Sequence, residues 1–154
     1  MAQRSAGILM WKRAPDLRLL LVHPGGPFWA RKDEGAWSIP KGEYGAGEDP
    51  LGVARREFAE ELGVEPDGDC TPLGDVRQKG GKVVTAFALE GDFDVGKLAS
   101  NSFTMEWPPR SGKSATFPEV DRACWFTPAE AKAKINPAQA ELIERLIHAL
   151  GRTR

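Results

Sequence analysis

Two cysteines, Cys70 and Cys124, two histidines and a single tyrosine are all that 154 residues contain of these types. Two thiols are too few for a disulfide framework and lack metal-type spacing, so buried free thiols in a reducing compartment are expected. No apolar run nears the roughly 20 residues that a membrane span needs, and the N-terminus lacks the long apolar segment of a signal peptide. Neither sign of charge prevails, with 21 basic residues against 22 acidic ones. Bulk attraction to nucleic acid or membrane is thereby excluded, and any polyanion must meet a local site. Internal repeats, low-complexity tracts and linkers are absent as well. What remains is one cytoplasmic globular domain over residues 1–154, long enough to bury a real core.

The pattern of the chain mixes strands with helices inserted between and after them, which is the α/β or α+β class. Ser5–Trp11 and Leu17–His23 read as short strands around the polar turn KRAPD, and LLLV suits a strand buried on both faces. Residues 24–35 break every period and form a loop, and Trp37–Ile39 reads as a brief strand. Pro50–Leu62 fits a helix, with Asp49 as N-cap, Pro50 at the first helical position and Gly63 as the stop. Strands are expected around Gly74–Gln78, at Lys82–Glu90, at Asn101–Trp107 and at RACWF (122–126). PPRSGKSATFP (108–118) reads as a long loop, basic in its middle. TPAE (127–130) combines a capping box with a first-turn proline and starts a short helix. Asn136 and Pro137 start another, whose Leu142, Ile143, Leu146, Ile147 and Leu150 make one apolar stripe that Gly151 can terminate.

The helix at 50–62 raises the functional question. At about 100° per residue, Leu51, Ala54, Phe58 and Leu62 share its core side, while Glu57, Glu60 and Glu61 lie across the other. Like charges at these spacings cost about 0.2–0.5 kcal/mol per pair, which Arg56, four residues before Glu60, can partly offset. By itself the cluster fits a solvated face with Arg–Glu pairs better than a site. The preceding loop changes the balance. Lys41 to Gly47 brings a lysine and three glycines whose backbone can approach an ion or a phosphate closely. Clustered glutamates supply hard oxygen ligands suited to Mg²⁺ or Mn²⁺, and Mg²⁺ usually shares its site with phosphates and water. Metal, phosphate and water together make a site for hydrolysing a phosphoanhydride, with a glutamate outside the metal shell free to take the water's proton.

The same residues resemble the Nudix box, G-x5-E-x7-R-E-U-x-E-E-x-G-U with U bulky and apolar. Gly42, Glu48, Arg56, Glu57, Phe58, Glu60, Glu61, Gly63 and Val64 match it without a departure. The resemblance is carried by residues 39–64; beyond them it rests on the order of elements, which looks like the Nudix α/β/α sandwich with a mixed sheet. It implies a pyrophosphohydrolase that cleaves a nucleoside diphosphate linked to another group, with Mg²⁺ as cofactor and Mn²⁺ as a substitute. Glu57, Glu60 and Glu61 are then the metal ligands, joined by the backbone carbonyl of Lys41. Arg56 orients a glutamate by salt bridge, and Glu48 braces the loop or extends the metal shell. Glu57 is ligand or base, since family members differ. Several members take the base from a loop before a late strand, which points to Glu119, with Glu106 as its rival.

The approach WSIPKG is similar to that of relatives acting on dinucleoside polyphosphates, and also of some acting on diphosphoinositol polyphosphates or nucleoside triphosphates. The preferred expectation is diadenosine tetraphosphate; a non-catalytic nucleotide-binding module is the other class, disfavoured because every box acid is kept. Lys41, Arg110 and Lys113 are candidate phosphate contacts, although each also suits ordinary surface charge. Trp107 and, second, Tyr44 are candidate base platforms, with core packing the alternative for a tryptophan. His23 and His148 need no function. The expected partner is a small phosphate-rich molecule, without extended nucleic-acid contact or membrane, for a monomer or homodimer.

Overall fold

A computed structural model describes residues 3–151. Its centre is β1 (Arg4–Arg13), which serves three neighbours. Along one edge it pairs in parallel with β5 (Val83–Glu90), from Arg4↔Val83 to Trp11↔Glu90. Its other edge is divided. The end of β1 turns into β2 (Leu17–Pro24), antiparallel with Trp11↔Leu19, while its start pairs antiparallel with β3 (Lys41–Tyr44), with Gly7↔Lys41. The outer strands are β4 (Thr71–Arg77), against β5, and β8 (Val120–Phe126), against β2. The sheet is therefore mixed.

Helices cover both faces. α1 (Pro50–Leu62) lies on one and buries Val53, Ala54, Phe58 and Leu62 against Ala6, Ile8, Leu20 and Val22. α2 (Pro128–Lys134) and α3 (Ala140–Gly151) lie on the other, where Ala131, Leu142, Ile143 and Leu146 meet Leu9, Leu19, Leu21 and Ile39. Strand side chains alternate between the faces, so Ala6, Ile8 and Met10 serve α1 while Leu9 serves the opposite helices. This is the α/β/α sandwich expected. Among the described residues no helix is long and apolar enough to cross a membrane.

Local signals set the helix bounds. Asp49 caps α1 through Gly52 N–H at 3.1 Å, and Gly63 closes it in the left-handed region at φ 88°. Thr127 and Glu130 form the expected capping box of α2. Four expectations need correction. Trp37–Ile39 is no strand but makes isolated bridges to Val22 and Ile135; pairing begins at Lys41, inside the stretch read as loop. The basic loop contains β7 (Ser114–Pro118), which forms a separate hairpin with β6 (Ser102–Glu106). α3 begins at Ala140, after a 3₁₀ turn at Pro137–Gln139, and Gly151 is still helical. Cys70 and Cys124 are free thiols but only partly buried.

Candidate active site

Gly42 explains why α1 must meet a glycine. A Cβ there would lie 1.9 Å from Glu57 Oε1, so the Glu57 carboxylate occupies the space a side chain would fill. Glu48 shapes the loop between Gly42 and α1: one oxygen accepts from Gly45 N–H at 2.9 Å, and the other from Arg56 Nη1 at 3.3 Å. Both contacts hold its carboxyl below the usual range, the backbone N–H foremost. Arg56 also reaches Glu57 through Nε at 3.5 Å. Its partners are thus Glu48 and Glu57, not the Glu60 suggested by helical spacing.

The acids cluster on the flank of α1 beside β3, partly sheltered, with Glu57 against Gly42 and Glu61 lining a cavity. Burial raises the Glu57 carboxyl, and the neighbouring Glu60 adds to the rise. Glu61 is displaced further, to about 8: burial dominates, the Lys41 ammonium opposes it, and Glu57 and Glu119 push it up again. Burial in turn lowers Lys41, with the Lys82 charge acting the same way. Glu61, Glu119 and Lys41 border a cavity of about 110 Å³, with Ser38 beside them and Val22 and Val120 in its wall.

Glu119 is brought there by backbone bonds from three segments. Asn101 N–H donates to Glu60 O at 2.9 Å, Glu119 N–H to Asn101 O at 2.7 Å, and Gly25 N–H to Glu119 O at 2.9 Å. Gly25 has no alternative residue at that contact, since a Cβ would lie 2.0 Å from Pro118 O. The rival Glu106 is spent elsewhere. Its carboxylate accepts Arg110 N–H at 3.3 Å and Gly112 N–H at 3.0 Å, closing the β6–β7 turn and holding Arg110 in the left-handed region at φ 60°.

The remaining candidates lie apart from that cavity. Tyr44 is half-buried in β3 and packs toward the α1-side core, its hydroxyl 3.4 Å from Thr85 Oγ1, beside a different hollow of about 380 Å³. Trp107, Arg110 and Lys113 sit at the far end of the hairpin from Glu119. Trp107 is half-buried and meets Phe28, a residue the sequence reading passed over. The available signal was Phe28-Trp29 itself, two adjacent aromatics in a glycine-proline loop with no period to bury them. His23 has a structural place. It is fully buried, with Nδ1 2.8 Å from Asp121 Oδ1 and Nε2 2.7 Å from Lys32 O.

Among the described residues no three His, Cys, Asp or Glu side chains are drawn together as a ready cage. Mg²⁺ does not need one, because it keeps several waters and uses one or two carboxylates with phosphate oxygens. Acids that raise one another's carboxyl range in a half-sheltered position fit a divalent cation, whose charge relieves that repulsion.

Comparison with known proteins agrees with this geometry. The NUDIX domain model matches residues 1–146. No curated protein matches the sequence. A C. elegans Ap4A hydrolase in a binary complex is 20% identical, with TM-score 0.66, covering 96% of this chain and 98% of its own. The NUDIX domain of Shewanella oneidensis NrtR, complexed with ADP ribose, is 17% identical with the same TM-score, covering 97% and 89%. The E. coli ORF135 protein is 20% identical with TM-score 0.62, covering 99% and 93%. At such identities these likenesses establish the fold.

Proposed function

The chain belongs to the Nudix family, a family of pyrophosphohydrolases, and from that premise we propose that it hydrolyses a dinucleoside polyphosphate such as diadenosine tetraphosphate. The observation that carries the reading is the apposition of the intact box acids on α1 with Glu119 across the Lys41 cavity. Glu57, Glu60 and Glu61, with the Lys41 carbonyl, would hold Mg²⁺ or Mn²⁺. When bound, the metal would neutralise phosphate charge and make water a better nucleophile. Arg56 keeps the Glu57 carboxylate in place and is itself held by Glu48, which makes both positioning residues. Glu119 is the base in this reading, accepting the proton of the attacking water. Lys41, which borders the cavity, would offer its ammonium to a phosphate oxygen. Arg110 and Lys113 extend positive charge outward along the hairpin, toward the far end of a long substrate. The preference for a dinucleoside polyphosphate is supported by the WSIPKG approach and by that outward extension.

The test is product release from dinucleoside polyphosphates, nucleoside triphosphates, nucleotide sugars and diphosphoinositol polyphosphates, each with and without Mg²⁺. Cleavage of diadenosine tetraphosphate into ATP and AMP, reduced at least about a hundredfold in Glu61→Gln with folding retained, is the expected result. Glu61→Gln activity within severalfold of wild type would sink the metal-site assignment. Preference for another class would keep the chemistry and replace the substrate. Binding without turnover on any substrate would make the protein a nucleotide-sensing module.

A further inference from the structure

The apolar run of β2 ends in a polar residue that is nonetheless hidden. His23 follows Leu19, Leu20, Leu21 and Val22 and is as fully buried as the leucines. A buried imidazole needs partners for the nitrogens that it would otherwise show to water. It has both. Nε2 donates to Lys32 O, a carbonyl that only accepts, at 2.7 Å, and Nδ1 lies 2.8 Å from Asp121 Oδ1. The ring also meets Trp37 edge to face, with centroids 5.2 Å apart.

Asp121 stands at an irregularity of the sheet. β2 and β8 pair in step from Leu19↔Phe126 to His23↔Arg122, and then Pro24 meets Val120. Asp121 is the extra residue, a β-bulge opposite His23. One inserted residue exchanges the faces of the residues before it. In unbroken alternation Val120 would share the α2 side with Cys124 and Phe126. Instead it packs on the α1 side with Ala123 and Val22, in the wall of the Glu61 cavity. Glu119, one residue earlier, borders the same cavity.

Two links bracket the Pro24–Val120 pair. Gly25 N–H donates to Glu119 O, and two residues away on each segment the His23 ring meets the Asp121 carboxylate. The backbone ladder does not supply the second link, because a bulged residue is left out of it. Arg122 Nε also approaches Asp121, at 3.9 Å, but its guanidinium lies over the Trp37 ring, 5.1 Å from the centroid. The shorter contact is to the histidine. A ring fixed at Nε2 and packed against Trp37 has little freedom, so it fixes the carboxylate that it holds.

We propose that the His23–Asp121 pair is a positioning device for Glu119: it holds the bulge that turns the Glu119 carboxyl toward Glu61. This rests on the reading above that Glu119 acts as the base. Neither His23 nor Asp121 touches substrate in that reading; they act through Glu119, where a misplacement of about 1 Å can cost roughly a hundredfold in rate.

Hydrogen exchange and kinetics of Asp121→Ala test this, with Asp121→Asn as the rescue. Asp121 is partly exposed, so neither change opens a hole in the core. In Asp121→Ala the amides of Gly25 and Glu119 should exchange at least about tenfold faster, as loss of a hydrogen bond to a charged group implies, while amides of β1 and α1 keep their rates. Asp121→Asn, whose side-chain amide can still meet Nδ1, should bring both back. On the best substrate of the panel, Asp121→Ala should lower kcat at least about fivefold with KM little changed. It should lower kcat no further in a Glu119→Gln chain. Unchanged exchange at Gly25 and Glu119, a rise shared equally by β1 and α1, no recovery in Asp121→Asn, or the same kcat loss with Glu119 already replaced would overturn the positioning role. If Glu119→Gln keeps full kcat while the exchange pattern holds, the base reading falls and the anchoring of Glu119 stands. For a chain that turns over no substrate, the exchange pattern alone decides.

Discussion

Burial lifts the Glu61 carboxyl from its ordinary 4.5 to about 8, the largest displacement among the box acids. The sign has a consequence for stability. Between those two values the folded chain keeps a proton that the unfolded chain has lost, so this group's contribution is full below about 4.5 and fades as pH rises toward 8. A divalent cation held by Glu61, as proposed, would replace the missing proton. Mg²⁺ is therefore expected to raise the Tm at pH 8 by at least about 2 °C, which corresponds to roughly 1 kcal/mol for a chain of this size, and by less at pH 5, where protonated acids bind metal poorly. Thermal scans with Mg²⁺ and EDTA at both pH values check this. An equal shift at both would mean that Glu61 does not share the metal.

At the level of elements, the β6–β7 hairpin gives its two candidate bases different work. Glu106 is held by two amides of the turn, whereas Glu119 follows β7 and is fixed by Gly25 and Asn101 beside α1. Glu106→Gln should keep kcat within about threefold, since an amide oxygen can still accept one of those N–H groups. Glu119→Gln should lose at least about tenfold in kcat with little change in KM, as removal of a general base does. Steady-state kinetics on the best substrate of the panel decide between them, and the opposite order would move the base to the turn. The backbone bond from Asn101 to Glu60 ties this hairpin to the end of α1, so one short segment connects the box acids to Glu119.

Over the whole molecule, the box acids and the bulk support lie on different helices. The acids ride on α1 and the cavity opens at the sheet edge, lined by Glu61, Glu119 and Ile39, while Leu142 is fully buried under α3 on the opposite face. Leu142→Ala should therefore lower stability by roughly 2–5 kcal/mol, the range for deleting a buried leucine side chain, without altering kcat or KM of the folded chain. Denaturant unfolding and kinetics measured on one preparation test it. A matching loss of activity would mean that the faces are mechanically coupled through β1 and β2.

The sequence by itself determined α1 and its charged face. Asp49, Pro50 and Gly63 act within a turn of the helix ends, and the acid spacing follows from helix geometry alone. The capping box of α2 and the long apolar strands were legible for the same reason. Only the tertiary structure decided that Lys-Gly-Glu-Tyr pairs as β3, because an adjoining β1 edge stabilises a strand of weak intrinsic preference. It also decided that Glu119 faces Glu61 while Glu106 closes a turn, and that Phe28 meets Trp107 across residues distant in sequence. The placement of Glu119 depends on bonds to residues 18 and 94 positions away, Asn101 and Gly25, and no local pattern encodes such closure.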